Sequence, residues 1–241
     1  MIHEEPYPFF VIDNFLKKEL HANLKRSFPS NKDLLKVGAV SSKNRYNFMR
    51  GSCEQAHLIN SSSAWKLFDD YIKVNFIKDM LDFVQENFGL NYSSMLENKG
   101  LVCHYDISRA SSGYSRSCHI DRRHHLMSFL YYVNDQKEYK GEGGDFLVYD
   151  VENKQNINEA FDVFPDHSTI RAVKTIRPEE NCLIGFVNFQ NSYHGVSKMK
   201  NNVSDRMFLY ISIDSIDKKP IWENENIKVL SEQRRQDFLN E

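Results

Sequence analysis

The chain has 241 residues, of which 41% are hydrophobic and 13% aromatic; this is enough apolar material for a domain with a real core and argues against a disordered chain. Its net charge of −2 at pH 7 gives no electrostatic support for nucleic-acid binding. No apolar run is long enough to cross a bilayer, no basic segment precedes an apolar one at the N-terminus, and the four cysteines form no CxxC pair, so a cytoplasmic setting without membrane contact is expected.

The first third of the chain is predicted to be mainly helical. Residues 8–16 are apolar and rich in β-branched and aromatic side chains, which predicts a strand, whereas apolar residues recur every four positions over 17–28, which predicts a helix. Residues 29–63 are polar and are typical of a long irregular connection. A broad apolar stripe over 63–89, which ends in the capping residue Gly89, predicts two further helices.

From about residue 99 the hydrophobic period changes to two, the period of β-strands. Six short apolar runs follow, separated by clusters of glycine, asparagine, aspartate and serine: LVCHYDI, LMSFLYYV, GDFLVYD, TIRAVKTI, CLIGFVNF and RMFLYISI. Helices followed by many short strands form the α+β pattern, and the strands favour a sandwich, a barrel or a jelly roll. The tail 231–240 is predicted to form a short helix.

A candidate metal site lies between the first two of these runs. His119 and Asp121 are separated by one residue, so on an extended segment both side chains point to the same face. His194, which follows a later apolar run, is the best candidate for a third ligand. Two histidines and one carboxylate on one face of a metal form the facial triad of non-haem Fe(II) oxygenases, which leaves coordination positions open.

Other histidines compete for these roles. A second HxD pair, His104 and Asp106, lies inside an apolar run, where a core histidine or one that supports a ligand is favoured over a ligand itself. His124 and His125 follow two arginines and are expected to be solvated residues in a polar loop at the rim of the site. His167 is a further spare candidate.

The order of the surrounding motifs resembles a known family. The motifs follow one another over about residues 99–214: LVCHYDISRASSGYSRSCHID, FLYYVND, GEGGDFLVYD, IRPEENCLIGFVNFQNSYHGV and DRMFLYISI. Together they resemble the prolyl 4-hydroxylase-like branch of the Fe(II)/2-oxoglutarate-dependent oxygenases. The resemblance implies an α+β fold with a double-stranded β-helix (jelly-roll) core and N-terminal helices packed against one of its sheets.

The resemblance also implies a single oxygenase domain over residues 1–241. Residues 1–98 are then mainly helical support, 99–214 the catalytic jelly roll, and 215–241 a C-terminal extension. The long segment 151–169 departs from the family pattern because it separates two core strands, which leaves the pairing of those strands open.

The residues that match the family's site can be named by motif. The three residues of the candidate metal site match the iron ligands: His119, Asp121 and His194. Arg206 matches the basic residue that binds the distal carboxylate of 2-oxoglutarate, and a planar guanidinium suits this role because it can hold a carboxylate by two parallel hydrogen bonds. Lys198 and Lys200 are rivals for it, since some relatives use lysine, but both lie in a polar turn where exposure is expected.

Two tyrosines are further candidates for contact with 2-oxoglutarate. Tyr105 lies near the place where the family has a tyrosine on the strand before HxD, and Tyr132 resembles another tyrosine whose hydroxyl contacts the cosubstrate. Because side chains alternate along a strand, only one of Tyr131 and Tyr132 can face the barrel interior. The neighbouring glycines 143 and 144 are expected to make the turn that starts a strand.

The function implied by the resemblance is that of a non-haem Fe(II)/2-oxoglutarate-dependent dioxygenase. Such an enzyme uses O2, decarboxylates 2-oxoglutarate to succinate and hydroxylates an unactivated C–H bond; ascorbate is a candidate additional cofactor. The aspartate at position 121 points to hydroxylation rather than halogenation, because halogenating relatives have a small residue there. A peptidyl proline, a free amino acid and a sugar-linked metabolite stay open as substrates, since a fold does not choose a substrate.

Five arginines could bind an anionic substrate, although each is more often a solvated surface charge: Arg45, Arg50, Arg116, Arg122 and Arg123. Two rival functions stay open at this point. A cupin-type metal enzyme would need no buried Arg206, and a jelly-roll module that binds a sugar or a peptide would need no tightly held metal. A nucleic-acid demethylase is disfavoured by the mild acidity of the chain.

Overall fold

The computed structural model describes residues 1–36, 44–98, 100–151, 165, 169–218 and 221. The helices of this part of the chain are α1 (Lys18–Arg26), α2 (Cys53–Ser61), α3 (Ser63–Val74), α4 (Phe76–Phe88), α5 (Ser93–Glu97) and α6 (Gln136–Tyr139). The strands are β1 (Ile2–His3), β2 (Phe9–Ile12), β3 (Leu35–Lys36), β4 (Arg45–Phe48), β5 (Leu101–Ala110), β6 (Arg116–His119), β7 (His125–Tyr132), β8 (Phe146–Val151), β9 (Ile170–Ile176), β10 (Cys182–Val187), β11 (His194–Val196) and β12 (Arg206–Ser215).

Two antiparallel sheets form the core. The larger has the order β1-β2-β10-β7-β12-β5-β4-β3, and the smaller has the order β6-β11-β8-β9. From β5 onward the chain passes back and forth between the two sheets, and only the neighbours β8 and β9 stay in one sheet. Apolar side chains of both inner faces pack together, for example Phe146 of β8 against Phe186 of β10. This is the double-stranded β-helix, so the predicted jelly-roll core is confirmed.

Helices cover the outer face of the larger sheet. The strands β5 and β12 pair over their whole length, and strand alternation turns Ile107, Leu209 and Ile211 towards the helices, where they join one buried cluster with residues of α1, α3 and α4. The two helices predicted over 63–89 are confirmed. Helix α3 begins at a cap in which the Ser62 hydroxyl accepts from the Trp65 backbone N–H, and α4 ends at Gly89, whose φ of 68° suits glycine.

The segment 29–63 contains more regular structure than its composition predicted. Its described residues include α2 and the strands β3 and β4, and β4 extends the larger sheet by pairing with β5. The polar composition of the segment explains why neither element was predicted. Helix α2 buries only Gln55, so it has no apolar stripe. Strand β4 turns Arg45 and Asn47 towards the barrel and two aromatic residues towards the helices, so only half of its side chains are apolar. The N-terminal region is therefore helical with a contribution of short strands.

Some sequence-based predictions fall outside the described residues. These are the helix over 231–240, His167 and most of the segment 151–169. The predicted boundaries of the jelly roll lie close to the ends of its strands, since β5 begins at Leu101 and β12 ends at Ser215. In the parts of the chain that the structure describes, none of the helices has the length and apolar character that a membrane crossing requires.

Candidate metal and carboxylate site

The three predicted metal ligands lie together at one end of the smaller sheet. His119 ends β6 and His194 begins β11, and the antiparallel pairing of these strands makes the two residues direct partners, with ring centroids 4.3 Å apart. Asp121 follows β6, and its carboxylate oxygens lie 3.7 Å from His119 Nε2 and 3.9 Å from His194 Nε2. One ligand atom from each residue lies within 4.8 Å of the other two, an arrangement that can hold a metal ion.

Both histidine rings are oriented by backbone carbonyl groups. His119 Nδ1 is 2.8 Å from the Ser117 carbonyl oxygen, and His194 Nδ1 is 2.9 Å from that of Ser192. A carbonyl oxygen can only accept, so each Nδ1 carries a proton and each Nε2 keeps its lone pair when the ring is neutral. Each Nε2 lies within 4 Å of an Asp121 oxygen and carries no proton, which is the tautomer that a metal ligand needs; that of His119 accepts from Arg116 Nε at 3.2 Å.

The carboxylate of Asp121 is oriented by two hydroxyl groups from the larger sheet. Its Oδ2 accepts a hydrogen bond of 2.6 Å from Ser128 Oγ on β7 and one of 3.0 Å from the Tyr210 hydroxyl on β12. Asn188 Nδ2 in turn donates to Ser128 Oγ at 3.0 Å. Sequence reasoning missed all three supporting residues. The available signal was a polar side chain within an otherwise apolar strand, on the face that alternation turns inward.

Burial and local charges set the protonation state of the three side chains. Burial lowers the pKa of His119, and the charge of Arg116 lowers it further. Burial also lowers the pKa of His194, against the opposing charge of Asp121. For Asp121, burial alone raises the pKa, but the two imidazoles and the bond from Ser128 outweigh it and lower the pKa of the carboxyl group. At neutral pH the site is therefore an ionised carboxylate between two neutral imidazoles.

These shifts predict how the stability of the metal-free protein depends on pH. Each buried histidine has a lower pKa in the folded chain than its ordinary value of 6.5, so the unfolded chain binds more protons below that pH. The stabilising contribution is present above pH 6.5 and is lost as the pH falls towards the folded pKa. We expect the free energy of unfolding in urea and EDTA to decrease from pH 7.5 to pH 5.5. A double variant, H119Q with H194Q, should show a smaller decrease, and an equal decrease would contradict the assignment.

Arg206 lies deep in the barrel at the start of β12. Its side chain is only 1% exposed, and its guanidinium carbon is 5.1 Å from the ring centroid of Phe208, 5.3 Å from that of Tyr132 and 5.5 Å from that of Tyr114. Its Nη1 donates to the Gly144 carbonyl oxygen. Among the described residues, Arg206 Nε has no hydrogen-bond partner and no carboxylate pairs with the guanidinium. A buried cation of this kind fits an anionic ligand, because an uncompensated buried charge is costly.

The glycines before β8 make room for this guanidinium. Gly144 has a φ of 78°, and a Cβ at this position would lie 3.0 Å from Arg206 Nη1, so the residue does more than form the predicted turn. At Gly143 a Cβ would lie 2.0 Å from the Lys198 carbonyl oxygen. The rival cations Lys198 and Lys200 are both exposed, as their polar turn predicted.

The two neighbouring tyrosines of β7 face opposite sides of the sheet, as strand alternation requires. Tyr132 faces the barrel beside Arg206, and its buried hydroxyl has no hydrogen-bond partner among the described residues. Burial raises the pKa of this hydroxyl, so it stays protonated and can donate. Tyr131 faces the helices and bonds with His21 Nδ1 at 2.5 Å and with Asn181 Oδ1 at 3.1 Å.

The predicted role of Tyr105 is corrected by its position. Tyr105 is on the helix-facing side of β5, where its hydroxyl donates to Asp69 Oδ1 at 3.1 Å and its ring packs edge-on against Phe68. A tyrosine of the barrel interior is instead Tyr114, which sequence reasoning missed. Tyr114 comes close to Arg206 because Arg206 pairs with Ala110 at the end of β5, and Tyr114 follows Ala110 by only four residues.

A matched pair of variants tests this correction. Y105F removes the bond to buried Asp69 and is expected to destabilise the fold by about 1–2 kcal/mol, with unchanged affinity for 2-oxoglutarate. Y132F removes a hydroxyl that has no partner among the described residues, so stability should change little while affinity for 2-oxoglutarate falls. Urea unfolding and 2-oxoglutarate titration measure the two effects, and the opposite assignment of effects would contradict the positions of the two side chains.

A second cluster of potential metal ligands lies on the other side of Tyr210 and includes His125. The prediction that His125 is a solvated loop residue was wrong. This histidine begins β7 and is buried: its Nδ1 is 3.1 Å from the Tyr210 hydroxyl, and its Nε2 is 3.7 Å from Asp214 Oδ1. His125, Asp214 and the half-buried His124 form a second group whose potential metal-ligand atoms lie within 4.8 Å of one another. His104 is half-buried on β5, outside the triad.

Comparisons with known proteins agree with this architecture. A family model described as the 2OG-Fe(II) oxygenase superfamily matches residues 90–211, which is 122 of the 241 residues. The fold is similar to that of a prolyl-4-hydroxylase from Pseudomonas putida, with a TM-score of 0.51 and 15% identity over 86% of this chain and 92% of the other. It is also similar to IDO from Bacillus thuringiensis, with a TM-score of 0.50 and 15% identity over 86% and 90%. No curated protein sequence matches the chain.

Proposed function

This chain belongs to the 2OG-Fe(II) oxygenase superfamily, and on that premise we propose that it is a dioxygenase that hydroxylates an unactivated C–H bond while 2-oxoglutarate is converted to succinate and CO2. The membership confirms the superfamily that the motifs indicated. One observation carries the proposal: two buried imidazoles and a half-buried carboxylate lie in the same barrel as a fully buried arginine without a carboxylate partner among the described residues.

In this proposal His119, Asp121 and His194 hold Fe(II). When bound there, the metal supplies the activation of O2. The protein supplies neutral Nε2 atoms and an ionised carboxylate, so the metal displaces no proton from these groups at neutral pH. Ser128 and Tyr210 fix the orientation of the carboxylate through Oδ2.

Arg206 anchors the distal carboxylate of 2-oxoglutarate in this proposal. The guanidinium can give two parallel hydrogen bonds to a carboxylate, and the Tyr132 hydroxyl, which has no hydrogen-bond partner among the described residues, can donate a further one. Gly144 leaves space beside the guanidinium, and the buried ring of Phe208 packs against it. The ligand would therefore offset the cost of burying the arginine.

The rival functions lack support from this site. A cupin-type metal enzyme without an oxo-acid gives no reason for a buried Arg206 that meets no carboxylate among the described residues. A binding module with incidental histidines gives no reason for two rings held in the same ligand-ready tautomer. Peptidyl proline and small molecules, such as an amino acid or a sugar-linked metabolite, are both candidate substrates of the proposed enzyme.

The proposal can be tested without knowledge of the substrate. Succinate release from 2-oxoglutarate is measured with Fe(II), O2 and ascorbate for the wild type, H119A and R206A. We expect slow uncoupled turnover by the wild type and its loss in both variants. If the wild type is silent, anaerobic binding of Fe(II) and 2-oxoglutarate is followed by their visible charge-transfer band. Absence of both turnover and band would overturn the proposal and favour a binding module.

A further inference from the structure

The second group of potential metal ligands is built by the larger sheet, apart from the proposed iron site. It consists of His124, His125 and Asp214, and one ligand atom from each residue lies within 4.8 Å of the other two. His125 begins β7 and pairs with Asp214 of β12. The backbone N–H of Ser215 donates to the His124 carbonyl oxygen at 2.8 Å, which fixes His124 beside the same end of β12. Two neighbouring strands therefore bring the three side chains together.

The hydrogen bonds of Tyr210 fix the tautomer of His125. The Tyr210 hydroxyl has one proton, and it donates that proton to Asp121 Oδ2 at 3.0 Å. The same hydroxyl lies 3.1 Å from His125 Nδ1, so in this second bond the hydroxyl oxygen accepts and Nδ1 donates. Burial lowers the pKa of His125, so the ring is neutral at pH 7. His125 Nε2 therefore keeps its lone pair, as a metal ligand requires.

An oxygen atom of Asp214 lies close to this nitrogen. Asp214 is only 6% exposed, and its Oδ1 has no hydrogen-bond partner among the described residues. This oxygen is 3.7 Å from His125 Nε2. The other oxygen, Oδ2, accepts from Arg50 Nη1 at 3.2 Å, so the arginine does not use Oδ1. Two buried electron-pair donors at this distance are stabilised by a cation that binds both of them.

His124 supplies the third donor and lies nearest to solvent. Its ring is edge-on to that of His125, with the ring centroids 4.6 Å apart. Burial lowers the pKa of His124, so this ring is also neutral at pH 7. The half-buried position of His124 gives an ion access to the two buried ligands. The distance of 3.7 Å between nitrogen and oxygen is also that between His119 Nε2 and Asp121 Oδ1, so the second group has the dimensions of the first.

We propose that His124, His125 and Asp214 bind a second metal ion, a divalent transition metal of which Zn(II) is the best match. Zn(II) accepts imidazole nitrogen and carboxylate oxygen, and three protein ligands leave its fourth position to water. The ion would join the end of β12 to the start of β7 and stabilise this end of the barrel. Fe(II) binds such ligands more weakly than Zn(II), so we expect this site to release Fe(II) during gel filtration. The site goes beyond the proposed oxygenase function and does not depend on it.

The first test measures Zn(II) binding in protein whose proposed iron site is disabled. The metal-free double variant, H119Q with H194Q, is titrated with Zn(II) against a chromophoric chelator. We expect one bound equivalent, and an affinity lower by about 100-fold or more when H124Q is added, since even the loss of an outer partner of a ligand costs 10- to 100-fold. H57Q in the same background removes an exposed histidine and should keep the affinity. No binding by the double variant, or equal affinity with H124Q, would overturn the site.

The second test uses the otherwise intact chain, so it holds even if the double variant fails to fold. The wild type should bind one more equivalent of Zn(II) than H124Q, whether or not the triad of His119, Asp121 and His194 also takes up Zn(II). The half-buried position of His124 makes H124Q the variant least disturbing to the fold. Zn(II) should raise the Tm of the wild type by more than that of H124Q, because each bound ion stabilises the folded chain. Equal stoichiometry and an equal rise in Tm would overturn the second site and leave the oxygenase proposal intact.

Discussion

Replacement of His194 by alanine is expected to abolish Fe(II) binding and to lower succinate release by more than about 100-fold, since the loss of even an outer partner of a metal ligand typically costs 10- to 100-fold. The physical reason is that only His119 and Asp121 would remain as protein ligands, and two ligands cannot fix the coordination geometry of the metal. Metal stoichiometry after anaerobic gel filtration and the charge-transfer band with 2-oxoglutarate measure the two effects.

Two other histidines provide the controls for this variant. His57 is exposed on α2, so H57A should behave like the wild type. His125 belongs to the second group, in which its nearest carboxylate is Asp214. H125A should retain the metal, although the hydroxyl of Tyr210 loses a partner. If H125A lost the metal and H194A kept it, the metal would belong to the second group and the assignment of the triad would be wrong.

The metal ligands could be predicted because their spacing encodes local geometry. Residues separated by one position share a face of an extended segment, so the sequence predicts that His119 and Asp121 converge without any knowledge of the fold. The third ligand needs a strand pairing that no local pattern contains. Strands β6 and β11 are also too short to be recognised as strands, so the sequence offered His194 only as the best candidate after an apolar run, and the family resemblance then matched it to the distal histidine.

The parts of the site that could not be predicted depend on register between distant strands. Tyr105 and Tyr132 both lie on inner strands of the larger sheet, but only the register decides that the first faces the helices and the second the barrel. Tyr114 reaches Arg206 because of the pairing between β5 and β12. Likewise, Arg45 reaches the ring of Phe208 only because the polar segment before α2 forms an additional strand of the larger sheet.

Replacement of Arg206 by glutamine is expected to weaken 2-oxoglutarate binding by about 100-fold or more. Loss of one partner of a buried charge pair costs about 3–5 kcal/mol, and 1.4 kcal/mol corresponds to a factor of ten in affinity. Fe(II) binding should be retained, because Arg206 is separate from the three ligands. The measurements are 2-oxoglutarate affinity by the charge-transfer band and Fe(II) stoichiometry on the same samples.

Two neighbouring lysines are the matched controls, since sequence alone leaves them as rivals for the anchoring role. K198Q and K200Q remove the same unit of charge from exposed positions, where an ion pair with a carboxylate is worth little, so both should bind 2-oxoglutarate like the wild type. Melting curves with and without 2-oxoglutarate separate binding from folding: the ligand should raise the Tm of the wild type and of both lysine variants but not that of R206Q. If R206Q kept the shift and K200Q lost it, the carboxylate would be anchored in the exposed turn, and the cost of burying Arg206 would have no explanation in ligand binding.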